Sequence, residues 1–257
     1  MKIATWNVNG LRSRLDFVLH WLKARKPDIV GLQELKLRDE DFPVNEFRAE
    51  GYHVAAHGQK SWNGVAILSR APLTDVRQGL PGQEQLGARL VAATIGTLQF
   101  VAVYCPNGKS IDHDDYHRKL VWYRQLVSFM EKEFDPAHPT VLCGDFNIVP
   151  EPIDSWNEEA LAGQMFHTEA ERDRLKLLFD WGLTDLFRHF FPETQSFTWW
   201  DYRAGSFHKN QGLRIDLLLG TGNIIGRLRH VEIDREYRKK KEGLTASDHA
   251  PVIAELD

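Results

Sequence analysis

Pro139-Thr140-Val141-Leu142-Cys143-Gly144-Asp145-Phe146-Asn147 is a short apolar run that ends in an acid and an amide. Its first five residues suit a buried strand, which needs only a few consecutive apolar and β-branched positions between turn formers. An acid at such a strand end is the first sign of chemistry, since packing has no use for it and burying it is costly. The same figure recurs along the chain. Residues 2–8 alternate, are rich in β-formers, and run into Trp6-Asn7-Val8-Asn9-Gly10. Residues 29–32 form a second short buried strand that runs into Gln33-Glu34. Asp216 sits inside the apolar run 213–219, and Ser247-Asp248-His249 directly precedes a last strand at 251–256.

Working outward, further strands are expected at 52–57, 64–68, 197–200 and 214–219. Residues 89–95 and 97–104 read as a hairpin closed around Gly96. Leu11, Leu15, Val18 and Leu22 recur at helical spacing up to a Lys26-Pro27 stop, because a prolyl ring cannot continue a helix. Residues 114–134, with Leu120, Tyr123, Val127 and Met130 on one face, and residues 169–181 are two more helices. No linker, low-complexity tract or repeat interrupts the 257 residues, so 1–257 reads as one domain. Strands outnumber helices and many connections are hairpin-like. The expected fold is α+β, with two mixed β-sheets packed face to face and helices outside.

Composition narrows the function classes. Hydrophobic residues at 42% and aromatics at 11% support a packed core. No apolar stretch approaches the ~20 residues of a membrane helix. The start Met1-Lys2-Ile3 lacks the apolar centre and cleavage site of a secretory signal, so a cytoplasmic protein with no membrane partner is expected. Cys105 and Cys143 each follow an apolar run, in contexts that are not metal-ligand spacings, and read as reduced thiols. The net charge of −4 counts mildly against a nucleic-acid partner. A local positive cleft would offset it, and a site built from carboxylates would itself make the total negative.

Any one acid or amide at a strand end is most simply a turn residue. Glu34 serves no turn chemistry, and Asp216 needs a partner or an ion if it is buried. Five such strand ends in one domain point to a shared site. Carboxylates and amides suit a hard, oxygen-preferring ion such as Mg²⁺ or Mn²⁺, which polarises phosphoryl oxygens. A buried Asp beside a His favours the charged imidazole, which would grip a phosphate oxygen. A second Asp would take a proton from water while an amide orients it. The chemistry read this way is phosphodiester hydrolysis.

Taken in order, these segments resemble the exonuclease III group of abasic-site nucleases in the endonuclease/exonuclease/phosphatase superfamily. The resemblance runs from Trp6-Asn7-Val8-Asn9-Gly10-Leu11-Arg12 to Ser247-Asp248-His249-Ala250-Pro251-Val252. Between them lie Leu32-Gln33-Glu34-Leu35-Lys36, Gly64-Val65-Ala66-Ile67-Leu68-Ser69, Tyr104-Cys105-Pro106-Asn107-Gly108, Gly144-Asp145-Phe146-Asn147 and Gly212-Leu213-Arg214-Ile215-Asp216. Each segment is moderately specific, and the ordered set is highly specific. The resemblance implies a four-layered, DNase I-like α/β sandwich. It implies Glu34 as the main metal ligand, with Asn7, Asn9 and Asp248 near the ion or its waters, and it counts Asp145, Asn147 and His249 among the metal-site residues. Asp145 would be the general base, or would protonate the leaving oxygen. Asn147 would orient the water, Asp216 and His249 would form a coupled pair, and Tyr104 would contact the scissile phosphate. Trp199, Leu213 and Ile215 would line a small apolar pocket for an extruded sugar that lacks its base, where flipping is cheapest. The implied substrate is double-stranded DNA with abasic sites or blocked 3′ ends, cut by a monomer.

The departures are few. Leu35 stands where the group has Thr, and it is expected to point away from the site. Ala246 stands where Pro is common. Residues 153–171 match weakly, which leaves substrate preference open there. His167 in that stretch reads as a surface histidine, with the pocket as the alternative. Arg203, His208 and Lys209 are expected to contact DNA. The basic run 235–241 is equally a solvated face or a grip on flanking phosphates. His113 and His117, beside Asp112 and Asp115, read as a solvated helix start rather than a zinc site. Two rival readings stand beside the DNA nuclease. One is a phosphoesterase for RNA or inositol phosphates, which the Trp199 pocket disfavours. The other is a catalytically dead DNA-binding module, which the presence of Glu34, Asp145 and His249 disfavours.

Overall fold

The computed structural model describes residues 1–257. The strands are β1 (Lys2–Asn7), β2 (Ile29–Gln33), β3 (His53–His57), β4 (Val65–Ser69), β5 (Thr74–Gln78), β6 (Leu90–Ile95), β7 (Leu98–Tyr104), β8 (Thr140–Asp145), β9 (Thr184–Asp185), β10 (Asp216–Gly220), β11 (Leu228–Ile233) and β12 (Val252–Leu256). The helices are α1 (Leu15–Arg25), α2 (Val44–Ala49), α3 (Asp114–Glu133), α4 (Glu158–Leu161), α5 (Glu169–Trp181), α6 (Leu186–Phe190) and α7 (Gly222–Ile225). Two six-stranded sheets result, ordered β11-β12-β1-β2-β4-β3 and β5-β6-β7-β8-β10-β9. Each holds one parallel pair, β1–β2 in the first and β7–β8 in the second, among antiparallel neighbours.

Period-two alternation explains the layers. Ile3, Ile67 and Ala254 of one sheet meet Phe100, Ala102, Cys143 and Leu218 of the other in a shared core. The opposite faces bury Ala4, Trp6 and Val30 under Phe17, Val18 and Trp21 of α1. Val101, Val103 and Leu142 lie likewise under Trp122 and Leu126 of α3 and Leu175 and Leu178 of α5. The order is helix, sheet, sheet, helix. Each fully buried Leu or Phe contributes about 2 kcal/mol, so these three cores rather than surface ion pairs hold the layers together. The sheets approach closely at Gly31, where an added Cβ would lie 2.7 Å from Cys143 Sγ.

Several sequence expectations need adjustment. The first helix begins at Leu15, not Leu11, because the Leu11 amide donates to the Leu35 carbonyl and residues 11–14 turn instead. It ends as expected, with Lys26 in the left-handed conformation before Pro27. Residues 197–200 are not a regular strand. The Thr198 and Trp199 amides both donate to the Leu213 carbonyl, and Trp199 makes isolated bridges to Leu213 and His249. Asp216 opens β10 rather than lying inside a strand. β5 was unforeseen because all of its residues are exposed on a sheet edge, and β11 because His230 and Arg229 break its apolar pattern. No helix is long and apolar enough to cross a membrane.

Candidate active site

Topology gathers the polar strand ends. The parallel pairs β1–β2 and β7–β8 deliver their C-termini to one edge of the sandwich. β10 and β12 run antiparallel to β8 and β1, so they deliver their N-termini to the same edge. In one sheet Tyr104 pairs with Asp145 and Asp145 with Asp216. In the other, Asn7 pairs with Gln33, which places Glu34 and its left-handed backbone beside Asn7. Asn147, two residues after the end of β8, is also left-handed, and its amide donates to Asp145 Oδ1 at 2.9 Å.

A cavity of about 380 Å³ opens at this edge. Asn7, Asn9, Glu34, Tyr104, Asp145, Asn147, Asp248 and His249 line it, with Trp199 and Ile215 as part of its wall. His249 Nδ1 lies 2.8 Å from Asp216 Oδ2, and its Nε2 lies 3.9 Å from Asp145 Oδ2. Asn7 Nδ2 donates to Asp145 Oδ2 at 2.9 Å. Asn9 Nδ2 donates to Asp248 Oδ1 at 2.8 Å, and Trp199 Nε1 donates to Asp248 Oδ2 at 3.1 Å. The Tyr104 hydroxyl donates to Glu34, and Lys36 Nζ reaches Asn9 Oδ1 at 2.5 Å and Glu34 Oε2 at 3.5 Å. The arrangement brings the expected polar residues together.

Electrostatics follow from burial and crowding. Burial and the Asp216 charge push the Asp145 carboxyl up to about 7, against the pull of His249 and Asn7. Burial pulls the His249 imidazolium down, but Asp216, with Asp248 and Asp145 beyond it, raises it to about 10. Burial pushes Asp248 up, yet His249 and the Asn9 and Trp199 hydrogen bonds hold it below its ordinary value. Burial and the nearby Glu34 and Asp145 charges keep the Tyr104 phenol protonated.

The donor chemistry fits a divalent cation. Glu34, Asp145 and Asp248 with Asn7, Asn9 and Asn147 offer oxygen ligands of the kind that hard ions prefer. Ligand atoms of Asp145, Asp216 and His249 also lie within 4.8 Å of one another. In that trio Nδ1 lies 2.8 Å from Asp216, which leaves Nε2 as the ring nitrogen that faces Asp145. The buried Asp216 Oδ1 has no hydrogen-bond partner, which leaves its charge to act on His249.

The other candidates fall at different depths. Leu213 is 5% exposed and packs with Val149 and Ile215, against Phe166 and Trp199 of the wall. Arg203 lies at the cavity rim, its side chain exposed and its Nη2 2.7 Å from Asp201 Oδ2. Lys209 is exposed and lies outside the cavity. His167 is neither on the surface nor in the wall: it is 3% exposed, with Nε2 3.0 Å from Ser155 Oγ. Arg238 is not free to grip phosphate, because it is buried over Tyr202 and Phe207 and donates to the Asp248 and Trp200 carbonyls. Lys239 and Lys240 remain exposed. Leu35 points into the core as expected, and His113 caps α3 by accepting from the Asp115 amide.

Sequence reasoning missed Asn107, Met165 and Phe166 in the cavity lining, and gave Lys36 no role. Lys36 stands two residues after Glu34, a signal that was present. Phe166 carried none, because an aromatic before a helix reads as packing. Also missed was the buried Arg214 guanidinium, 2.6 Å from both Asp154 and Asp185, which fixes the backbone just ahead of Ile215 and Asp216.

Comparisons with known proteins agree with this geometry. The chain matches the Endonuclease/Exonuclease/phosphatase family over residues 4–249. It is 35% identical to exodeoxyribonuclease III of Haemophilus influenzae, covering 100% of both chains. An AP endonuclease structure from Archaeoglobus fulgidus superposes with a TM-score of 0.95 at 36% identity, covering 100% of this chain and 99% of that one. The 3′-5′ exonuclease NExo of Neisseria meningitidis superposes with a TM-score of 0.96 at 40% identity, covering 100% of both. The chain belongs to the endonuclease/exonuclease/phosphatase family.

Proposed function

We propose that this chain is a metal-dependent DNA repair nuclease, and that it hydrolyses the backbone 5′ to abasic sites and trims blocked 3′ ends. The observation that carries the reading is the pairing of His249 with Asp216, 2.8 Å apart, facing Asp145 in a cavity that also holds Glu34. Mg²⁺ or Mn²⁺, held by Glu34 with Asn7, Asn9, Asp145 and Asp248 around it, supplies positive charge to the phosphoryl group when bound. Every other role belongs to the chain. Asp216 keeps His249 cationic, so the ring binds a non-bridging phosphate oxygen. Asp145 takes a proton from the attacking water, or gives one to the leaving oxygen; a carboxyl poised at about 7 is suited to either duty. Asn147 orients the water, and the Tyr104 hydroxyl contacts the scissile phosphate. Trp199 and Ile215 accept an extruded sugar by its apolar faces.

A second reading, 3′-end processing with little abasic incision, draws on Met165 and Phe166. Both line the cavity beside Trp199, where a flipped sugar would sit. Either way the enzyme works on double-stranded DNA, as a monomer in the cytoplasm, with residues 1–257 as one catalytic domain. Equal amounts of an abasic duplex, a 3′-phosphate duplex and an RNA of the same sequence separate the readings in one assay. Loss of both DNA substrates with intact RNA supports a DNA enzyme, and the ratio of the two DNA rates chooses between the specificities. Cleaved RNA with intact DNA would sink the proposal.

A further inference from the structure

Lys119 and Glu171 form an ion pair whose side chains are both fully buried, 2.5 Å apart, outside the catalytic cavity. Burying two charges gives little or no net stability when apolar side chains of similar volume would fill the space. The pair is therefore better explained by what it holds. Lys119 Nζ donates to the Asn147 carbonyl at 2.6 Å and to the Asn107 carbonyl at 3.3 Å, so its three protons serve two carbonyls and one carboxylate. Those carbonyls belong to the loops after β8 and β7, whose amide side chains approach each other at 3.4 Å in the cavity. Glu171 uses its other oxygen to accept from the Thr168 amide at 3.1 Å and hydroxyl at 2.9 Å, which closes the capping box of α5. Two residues upstream, Phe166 sits at φ 74°, a conformation that a bulky side chain rarely adopts, and its ring lies 5.0 Å from the Lys119 ammonium.

Resting on the nuclease reading above, we propose that Lys119 and Glu171 are positioning residues that set the Asn147 amide and the Phe166 wall of the active site in register. Lys119 touches no cavity-facing atom of Asn147. It acts through the carbonyl, and thereby fixes a left-handed backbone whose amide also holds Asp145. Without the ammonium, the two carbonyls lose their shared donor and the loops are free to part. A misplacement of about 1 Å at an orienting group costs on the order of 10²-fold in rate.

The test is steady-state kinetics on a cleavable DNA duplex, beside thermal melting, for the full-length wild type and K119M/E171M. The double substitution removes both charges and leaves neither stranded. The expected result is kcat reduced by about 10- to 100-fold, KM within about threefold, and a variant that stays folded at the assay temperature. Val231→Ala, a core truncation in the edge strand β11, is the control; it should lower the melting temperature and leave kcat unchanged. A folded double variant with kcat within about twofold of wild type overturns the proposal. Should the double variant not fold, Lys119→Arg decides: it keeps the charge, but a rigid planar fork cannot aim at two carbonyls on separate loops. Reduced kcat in a folded Lys119→Arg protein supports the proposal, and wild-type kcat overturns it. A wild type that cuts no DNA would instead refute the nuclease reading.

Discussion

The imidazole of His249 is held between two carboxylates, with Nδ1 2.8 Å from Asp216 and Nε2 3.9 Å from Asp145. The two acids have different surroundings. Asp145 accepts from Asn7 and from the Asn147 amide and faces the cavity, whereas Asp216 lies behind the ring with one oxygen unpartnered. Asp216 is thus placed to tune its neighbours, and Asp145 to react.

That division makes Asp216→Asn informative. Asp216 is the strongest charge acting on both Asp145 and His249. If the ionised Asp145 is the base, wild-type kcat/KM rises with pH through about 7. In Asp216→Asn that rising limb should move to lower pH, and kcat should fall by about 10²-fold. A pH–rate profile reads both effects, and an unmoved limb would remove Asp216 from the account.

Stability should respond in the same variant. His249 is raised from 6.5 to about 10 in the folded chain, so its share of stability is complete below pH 6.5 and lost as pH rises towards 10. Asp145, raised from 3.8 to about 7, loses its share in the lower window. Between pH 7 and 9 His249 stands apart, and the wild-type melting temperature should drop on the order of 5 °C. Asp216→Asn should flatten that slope. Melting curves of both proteins at pH 7, 8 and 9 check it.

Trp199 links the pocket wall to the acid side of the site through its 3.1 Å bond to Asp248. Trp199→Phe keeps an apolar face and loses the N–H. The concentration of Mg²⁺ or Mn²⁺ needed for half-maximal activity should rise about tenfold, while KM for DNA changes little. A metal titration with unchanged midpoint and raised KM would assign Trp199 to substrate alone.

Arg214 is a stability residue beside a functional one. Arg214→Met leaves Asp154 and Asp185 short of a buried partner, so unfolding free energy should drop by about 3–5 kcal/mol. Denaturant titration measures this. A loss under 1 kcal/mol would mean that Arg188, 2.5 Å from Asp154, compensates.

The sequence shows the reacting groups more openly than what supports them. Glu34, Asp145 and His249 stand out because an acid or imidazole at the end of an apolar strand has no packing reason to be there. Tyr104 and Trp199 needed the family resemblance, since aromatics at strand ends are ordinary. Lys119 and Glu171 drew no notice in the sequence, because charged residues within a helix carry no local signal of burial, and the packing of α3 against α5 and the 107 and 147 loops buries them. Arg238 misled for the opposite reason: its place in a basic run allowed a phosphate grip, while tertiary packing drew it inward over Tyr202 and Phe207. Residues 197–200 have strand composition, but the Thr198 and Trp199 amides both go to Leu213 and the Trp200 amide goes to Asp248, not to a ladder.

The central claim is metal-dependent incision at a lesion, and one duplex with a single labelled abasic-site analogue tests it. With Mg²⁺ the wild type should make one cut 5′ to the lesion, EDTA should abolish it, and Asp145→Ala should reduce it by several orders of magnitude. Trimming from the 3′ end with the lesion untouched would keep the chemistry and transfer the specificity to end processing. Cleavage that persists in EDTA, or no cleavage of any DNA with Mg²⁺, would contradict the account.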